Sequence, residues 1–413
     1  MMHNCRLFIF SLIILLVGCG INDSEENSVK NNKVSFSEND YEKIVLSSNK
    51  LGFELIREVE RDENDNAFIS PASLYMLLSI VHNGAEGKTK EEMAQVLGAS
   101  KLSKNDINKA NASLLQLLSK ETEHVRVDIG NSLWLNDQYS FQDEFSHQAK
   151  SYFNGKIEEV SMDDSQTVDR INRWVKDATK EKIEKIVDGP LDVQTVTILV
   201  NAIYFNGDWK YTFDKSKTKQ GTFRDEHGNT NKLDFMELET KLPYFETKNF
   251  QAVSLPYGDE EMSMNIFLPK ENKSLAHFLD ELSENNWEKW QTSFKKKEGK
   301  VIFPKFELEY ETELNDALKM LGMNDAFSKE DANFADMIHE EEQIYLDLLK
   351  QKTYIDIHEE GTEAAAVTSA EIRLTSAPVD APFYLEVNRP FLFTITDDET
   401  NIILFMGAIQ LPS

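Results

Sequence analysis

Cysteine is almost absent from this chain: its 413 residues contain two, Cys5 and Cys19, both near the N-terminus. No disulfide framework and no thiolate metal site can brace the rest, which must be held by packing alone. The spaced signatures of catalysis are missing too. There is no Gly-x-Ser-x-Gly turn, no His-Glu-x-x-His helix, no cysteine pair for zinc and no dinucleotide glycine loop. The eight histidines are scattered, and His339-Glu340-Glu341 and His358-Glu359-Glu360 each lack the second histidine that a metal site would need. Gly87-Lys88-Thr89 has the ending of a phosphate loop, but the first glycine of that motif would fall at His82. No catalytic residue, metal or cofactor is expected, and an enzyme is disfavoured.

Positive charge is also scarce. Against 72 Asp and Glu stand 44 Lys and Arg, a formal net charge of −28, which excludes nucleic acid and anionic membrane surfaces as natural partners, and heparin-like activators with them. The densest basic run, Lys295-Lys296-Lys297, meets Glu298 and reads as solvated surface. After residue 43 there is no Pro/Gly/Ser-rich linker, internal repeat or low-complexity block, so residues 44–413 read as one large domain although length alone would allow two.

The N-terminus is of another kind. Arg6 precedes an apolar run over residues 7–17, which has signal-peptide length and is short for a membrane span. It ends in Leu16-Val17-Gly18-Cys19, the form of a bacterial lipobox, where a peptidase cuts before the cysteine and the thiol takes up diacylglycerol. Residues 1–18 are thus expected to be a lipoprotein signal peptide and Cys19 the lipidation site; the alternative is a plain secretory signal with an incidental cysteine. Residues 19–43 are too polar to fold and read as a flexible tether. Asp23, Glu25 and Glu26 are similar to surface-export signals of some bacterial lipoproteins, or are simply a solvated linker. The expected location is the bacterial cell envelope, with the membrane engaged through the N-terminal lipid, on the inner or the outer membrane or exposed at the cell surface.

The rest alternates helix and strand signals. Residues 44–60 carry helical apolar spacing, Asn66-Ala67-Phe68-Ile69 a short strand, and Ser70-Pro71 a helix start with proline in the first turn. Thr89-x-x-Glu92 predicts a capping box for a helix ending at Leu97-Gly98. Residues 131–135 and 157–160 read as strands and 141–153 as a helix; an amphipathic helix spans 171–183. Residues 195–205 are almost continuously apolar, as a central strand covered on both faces should be.

Near the C-terminus stands Glu359-Glu360-Gly361-Thr362-Glu363-Ala364-Ala365-Ala366-Val367-Thr368, continuing to Pro378. With period two, Thr362, Ala364, Ala366, Thr368, Ala370, Ile372 and Leu374 form one uncharged set, while every charge falls in the other. The pattern suits a half-buried strand, yet Gly361, the poor strand propensity of the alanines and the Ser376-Ala377-Pro378 close leave it free to be an exposed loop. A segment with two such options is a switch. An exposed helix capped by Thr362 is the competing reading.

This stretch resembles the hinge and reactive loop of the serpins. The resemblance extends over residues 44–413 through ordered blocks: residues 66–98, Leu199-Val200-Asn201-Ala202-Ile203-Tyr204-Phe205 with Trp209, Leu255-Pro256-Tyr257, Leu268-Pro269, Pro304-Lys305-Phe306, Leu321-Gly322-Met323, Asn388-Arg389-Pro390-Phe391 and Leu404-Phe405-Met406-Gly407. It implies an α+β fold with a large mixed sheet, smaller sheets, about nine helices and an exposed reactive loop. It implies irreversible inhibition of serine or cysteine proteases by a monomer, which forms a covalent complex once the cleaved loop inserts into the main sheet as a new strand, a known form of strand addition. The hinge would be Glu359, Gly361, Thr362, Glu363, Ala364, Ala365 and Ala366, with Thr362 the first inward residue to enter. Ser70, Ser73, Asn201 and Gln351 would form the shutter where the sheet parts, Gln351 standing where the family has histidine, and Trp209 would mark the breach where insertion starts. The scissile bond would be Thr375–Ser376, fourteen positions past Gly361, with Leu374 and Arg373 as alternative carbonyl donors. A non-inhibitory member acting as a binding protein or chaperone is the alternative; the small, uncharged inward set favours inhibition.

The lipobox generates the first test. A Cys19→Ser variant should lose palmitate labelling and leave the membrane fraction; membrane association that survives the substitution would contradict lipidation.

Overall fold

Residues Pro71–Gly84 are all buried, and a helix apolar on every side belongs inside a fold. Ser70 caps it, its side chain accepting from the Ser73 N–H, and Pro71 occupies the first turn. The computed structural model describes residues 34–120, 122–362 and 381–412, which form one compact unit around this helix. The signal peptide, Cys19, most of the tether and the loop residues Glu363, Ala364, Ala365, Ala366, Arg373, Leu374, Thr375 and Ser376 lie outside the described residues.

In chain order the first elements are α1 (Val45–Glu58), β1 (Ala67–Ile69), α2 (Pro71–Gly84), α3 (Gly87–Val96), α4 (Lys104–Leu118), β2 (Val125–Asn136), α5 (Asp143–Phe153), β3 (Lys156–Val160), α6 (Ser165–Ala178) and β4 (Thr197–Asp208). Then follow β5 (Lys219–Arg224), β6 (Thr230–Glu246), β7 (Phe250–Tyr257), β8 (Met262–Pro269), α7 (Leu275–Asp280), α8 (Glu284–Gln291), β9 (Lys295–Pro304), β10 (Phe306–Glu313) and α9 (Asn315–Met320). The last are β11 (Leu348–Ile357), β12 (Gly361–Thr362), β13 (Phe383–Glu386), β14 (Phe391–Asp397) and β15 (Ile403–Ile409).

The strands make two sheets. The mixed one has six strands in the order β10-β11-β12-β4-β2-β3, with β11 also pairing β4 directly and in parallel. The other strands run as one continuous nine-stranded sheet, β1-β15-β14-β8-β7-β6-β9-β13 with β5 on β6, antiparallel except between β13 and β9. With nine α-helices among the described residues, this is the α+β architecture expected. The middle of β4, residues 198–205, is apolar apart from Asn201 because both its faces are covered. One faces the main core, where Leu199, Ile203 and Phe205 lie. On the other, Ile198, Val200 and Ala202 join Ile171 and Val175 of α6 in a second apolar cluster.

Three local expectations are corrected. The folded body begins before residue 44: Asp40–Lys43 forms a 3₁₀ turn, and Tyr41 is buried with its N–H on the Ser113 hydroxyl. Thr89 and Glu92 make no capping box, because α3 starts at Gly87 and puts them inside the helix. Their side chains serve tertiary docking instead, Thr89 accepting from the Asn333 N–H and Glu92 from those of Asn324 and Asp325. Finally, α6 stops at Ala178, not Ile183. Lys180 and Glu181 take left-handed backbone angles, φ 52° and 69°, and the Thr179 hydroxyl accepts the Ile183 N–H, which turns the chain back on itself.

Candidate functional site

β4 and β11 meet along a seam that is closed at one end and parted at the other. Parallel pairs run from Leu348–Ile198 to Thr353–Ile203. Further along, β12 wedges between the two strands, antiparallel to both, with Thr362 opposite Ile357 on one side and Gly207 on the other. Between these zones, Tyr354, Ile355 and Asp356 of β11 and Tyr204, Phe205 and Asn206 of β4 have no cross-seam partner among the described strands.

The wedge is tightly built. A Cβ on Gly361 would lie 2.2 Å from the Gly207 carbonyl oxygen and 2.8 Å from the Asp208 Cα, so only glycine fits. Thr362 is fully buried, its hydroxyl 2.8 Å from that of Tyr257. Tyr257 stacks on Trp209 at 4.4 Å between ring centroids and meets Phe205 edge-on. Burial drives the Tyr257 hydroxyl well above its ordinary range, so it acts as a neutral hydrogen-bonding group. Trp209 also ties down the incoming chain: its indole N–H donates to the His358 carbonyl and its backbone N–H to that of Glu360, both at 2.9 Å. The Phe213 N–H donates to the Glu359 carbonyl at 2.8 Å.

Glu359 and Glu360 behave differently although adjacent. Glu360 pairs with Lys215 at 2.7 Å in an exposed setting, where water and salt screen the attraction. The Glu359 side chain is only 7% exposed and receives Thr218 Oγ1 at 2.8 Å and Lys305 Nζ at 3.1 Å. Burial pushes its carboxyl up, but the Thr218 hydroxyl, its own N–H and the Lys305 ammonium outweigh that and hold it below the usual carboxylate range.

At the closed end lies a neutral polar network. Gln351 and Asn201 stand opposite each other across the seam, and Gln351 Nε2 donates to Asn201 Oδ1 at 2.6 Å. Gln351 also accepts from the Ser70 N–H at 2.9 Å and donates to the Ser70 carbonyl at 3.1 Å. Asn201 Nδ2 donates to Ser73 Oγ and to Asn131 Oδ1. Beside them the Thr353 hydroxyl donates to the Phe68 carbonyl at 2.6 Å. All are buried, and stranding one such group costs about 1–3 kcal/mol, so the network works as a unit. An amide both donates and accepts, which lets Gln351 fill its place with no group that titrates near neutral pH.

The structure therefore brings Ser70, Ser73, Asn201 and Gln351 together and sets Trp209 against Glu359, Gly361 and Thr362, at the other end of the same seam. One expectation is overturned. Thr362 does not wait outside as the first residue to enter: in the intact chain it is already a strand residue, because glycine at 361 allows close approach and Tyr257 supplies its partner. This also sets aside its role as a helix cap. Sequence reasoning missed Tyr257, Thr218, Lys305, Asn131 and Thr353. Tyr257 and Lys305 stand inside blocks that carry the resemblance, but nothing local says what they touch.

Because Glu359 is held below its unfolded value, it stabilises the hinge fully above about pH 4.3, and that contribution is lost as pH falls through the lower folded value. Glu359→Gln should melt below wild type at neutral pH, with the gap closing under acid conditions. A gap that does not change with pH would contradict the pairing.

Comparison with known proteins agrees with this geometry. The family model described as Serpin (serine protease inhibitor) matches residues 46–412. Human Serpin B8 is 33% identical over 359 residues, covering 86% of this chain and 95% of its own. An uncharacterized serpin-like protein of Methanosarcina acetivorans is 29% identical over 436 residues, covering 100% and 99%. Among solved structures, the thermophilic serpin tengpin in its native state superposes with a TM-score of 0.84 at 31% identity, covering 92% of this chain and 96% of that one.

Proposed function

The chain belongs to the serpin family, and from that membership we propose that it is an irreversible, suicide-substrate inhibitor of serine or cysteine proteases. The observation that carries the reading is the wedge, in which the hinge is already seated between two strands that are zipped together below it. A target protease attacks the carbonyl carbon of Thr375, or of Leu374 or Arg373. The C–N bond to the next residue breaks, the nucleophile's proton ends on the new amine, and an acyl-enzyme remains. Leu374 suits chymotrypsin-like enzymes and Arg373 trypsin-like ones.

The freed hinge end then lengthens β12. The first steps fill the unpaired stretch between Thr362 and Thr353, and each later step replaces one parallel β4–β11 pair with two antiparallel ones, the slightly more stable pairing, so extension runs downhill. Ala364, Ala366 and Thr368 are small enough to turn toward the core at no cost in overpacking. The protease, still bound through its acyl bond, is carried along and distorted before water can release it. We place this chemistry at the bacterial cell envelope, with the inhibitor a monomer held by lipid on Cys19.

The test is a panel of serine and cysteine proteases mixed with wild type and with Ala364→Arg. Residue 364 is chosen because Thr362 already supports the intact fold. Wild type should give a detergent-stable complex with at least one enzyme, and loop-cut protein should melt well above intact protein. Ala364→Arg should be cut at the same bond but release active enzyme, since forcing a cation inward costs several kcal/mol and each ~1.4 kcal/mol slows insertion tenfold. No complex with any enzyme, together with equal melting of cut and intact chains, would leave a non-inhibitory binding protein as the reading.

A further inference from the structure

Acids outnumber basic residues in this chain by 72 to 44, so a cation with no carboxylate beside it stands out. Three such cations surround one cleft. It lies between the turn after β5 (225–229), the segment joining β8 to α7 (270–274) and the link from β13 to β14 (387–390). Two adjoining cavities of about 810 and 520 Å³ open there and share Glu271, Asn272, Asn388 and Arg389. Among the described residues, Arg224, Lys273 and Arg389 of the larger cavity have no carboxylate within ion-pair distance.

Arg389 is half-buried and held in place. Its Nε donates to the Pro269 carbonyl at 2.8 Å and its Nη1 to Asn388 Oδ1 at 3.3 Å, which fixes the guanidinium plane and leaves Nη2 with no acceptor among the described residues. Burial pulls this guanidinium below the ordinary arginine range, as expected of a cation short of an anion, and Glu271 and Glu386 offset that only from a distance. The Asn388 carbonyl accepts the Arg224 N–H at 2.9 Å, which ties two walls of the cleft together. The acids nearby are engaged elsewhere. Asp225 accepts the Asn229 N–H at 2.7 Å and Asn229 Nδ2 at 2.6 Å, and Glu226 accepts the Leu275 N–H. Glu271 is exposed at the rim. A fourth cation, Lys232, donates to the Thr222 hydroxyl on the same wall.

We propose that this cleft binds a small organic phosphate, whose phosphate group is held by Arg389, Arg224 and Lys273. The site is separate from the wedge and does not depend on loop insertion. A guanidinium fixed in one plane presents its donors as a fork that matches phosphate oxygens. Three cations around one cavity call for more charge than a single carboxylate carries, and a phosphate monoester supplies it. The larger cavity exceeds a bare phosphate, so there is room for the body to which it is esterified, with the Asn272 and Asn388 amides beside it. Its holders come from three distant parts of the chain, so the bound ligand would cross-link them and stabilise the native fold. The phosphate could be free in solution or part of a lipid headgroup, and the experiment separates the two.

The test is calorimetric titration of the full chain with inorganic pyrophosphate in about 0.15 M salt, where loosely attracted ions are screened. Wild type should bind one pyrophosphate and melt higher in its presence, and acetate, with one charge, should do neither. Arg224→Ser/Lys273→Ser changes two side chains outside the core, so it should melt like wild type without ligand and bind about tenfold more weakly with it. Arg389→Lys keeps the charge but loses the fork, and should weaken binding too. Lys295→Ser/Lys296→Ser, in the densest basic run, should bind as wild type does. A second arm measures co-sedimentation with phosphatidylglycerol vesicles in a Cys19→Ser background, so that an N-terminal lipid cannot decide the result. Sedimentation that Arg224→Ser/Lys273→Ser abolishes would assign the site to a headgroup, and binding of pyrophosphate alone would assign it to a free ligand. Four results would overturn the site: neither probe binds, acetate binds equally, the Arg224/Lys273 variant keeps wild-type affinity, or the Lys295/Lys296 variant loses as much.

Discussion

The pairing of Gln351 with Asn201 across the β4–β11 seam is the contact on which the rest of the site depends. Both side chains are buried, so neither can exchange its partner for water, and each is shared with neighbours: Ser70 on one side, Ser73 and Asn131 on the other. The network therefore resists small displacements and yields only when several bonds exchange together. Two pairs beyond it, past Thr353–Ile203, the strands part to admit β12; in the other direction they stay zipped to Leu348–Ile198.

Charge is kept away from this seam. The molecule carries a net charge of −28, yet the network at its closed end holds no ionisable group. The one buried acid at the open end, Glu359, is matched by Lys305 and the Thr218 hydroxyl. Lys350 and Lys352 lie on the outer face of the sheet, where the acids of β10 compensate them. The acidic excess thus bears on solubility and on the choice of partner, and the packing of the seam is left to neutral side chains.

Much of this was legible in the chain. Proline after serine at 70–71, an almost continuous apolar run in β4 and the alternation beginning at Thr362 are local signals whose physical meaning does not depend on the fold. Other features were not, for an equally physical reason. Thr89 and Glu92 have the spacing of a cap, but where a helix starts is decided by how the segment docks, and docking placed both residues inside it. Lys180 and Glu181 carry no mark of the left-handed backbone they adopt. Tyr257 is separated from Thr362 by more than a hundred residues, so nothing near either in sequence declares that they share a hydrogen bond. The state of Thr362 was misjudged because period-two patterning reports which face a residue would show in a sheet and is silent on whether it is already there.

The seating of Gly361 and Thr362 in the intact chain changes the kinetic problem that a new strand poses. A strand forming from a free loop must first bring its end to the sheet, an entropic cost incurred before any ladder bond repays it. Here that search is over when folding is complete, and the first paired residues are in register with both neighbours. If the loop inserts as proposed, what remains is propagation, residue by residue, like a zipper already started. Under the proposed insertion, the delay would be set by how firmly the β4–β11 pairs from Thr353–Ile203 onward are closed.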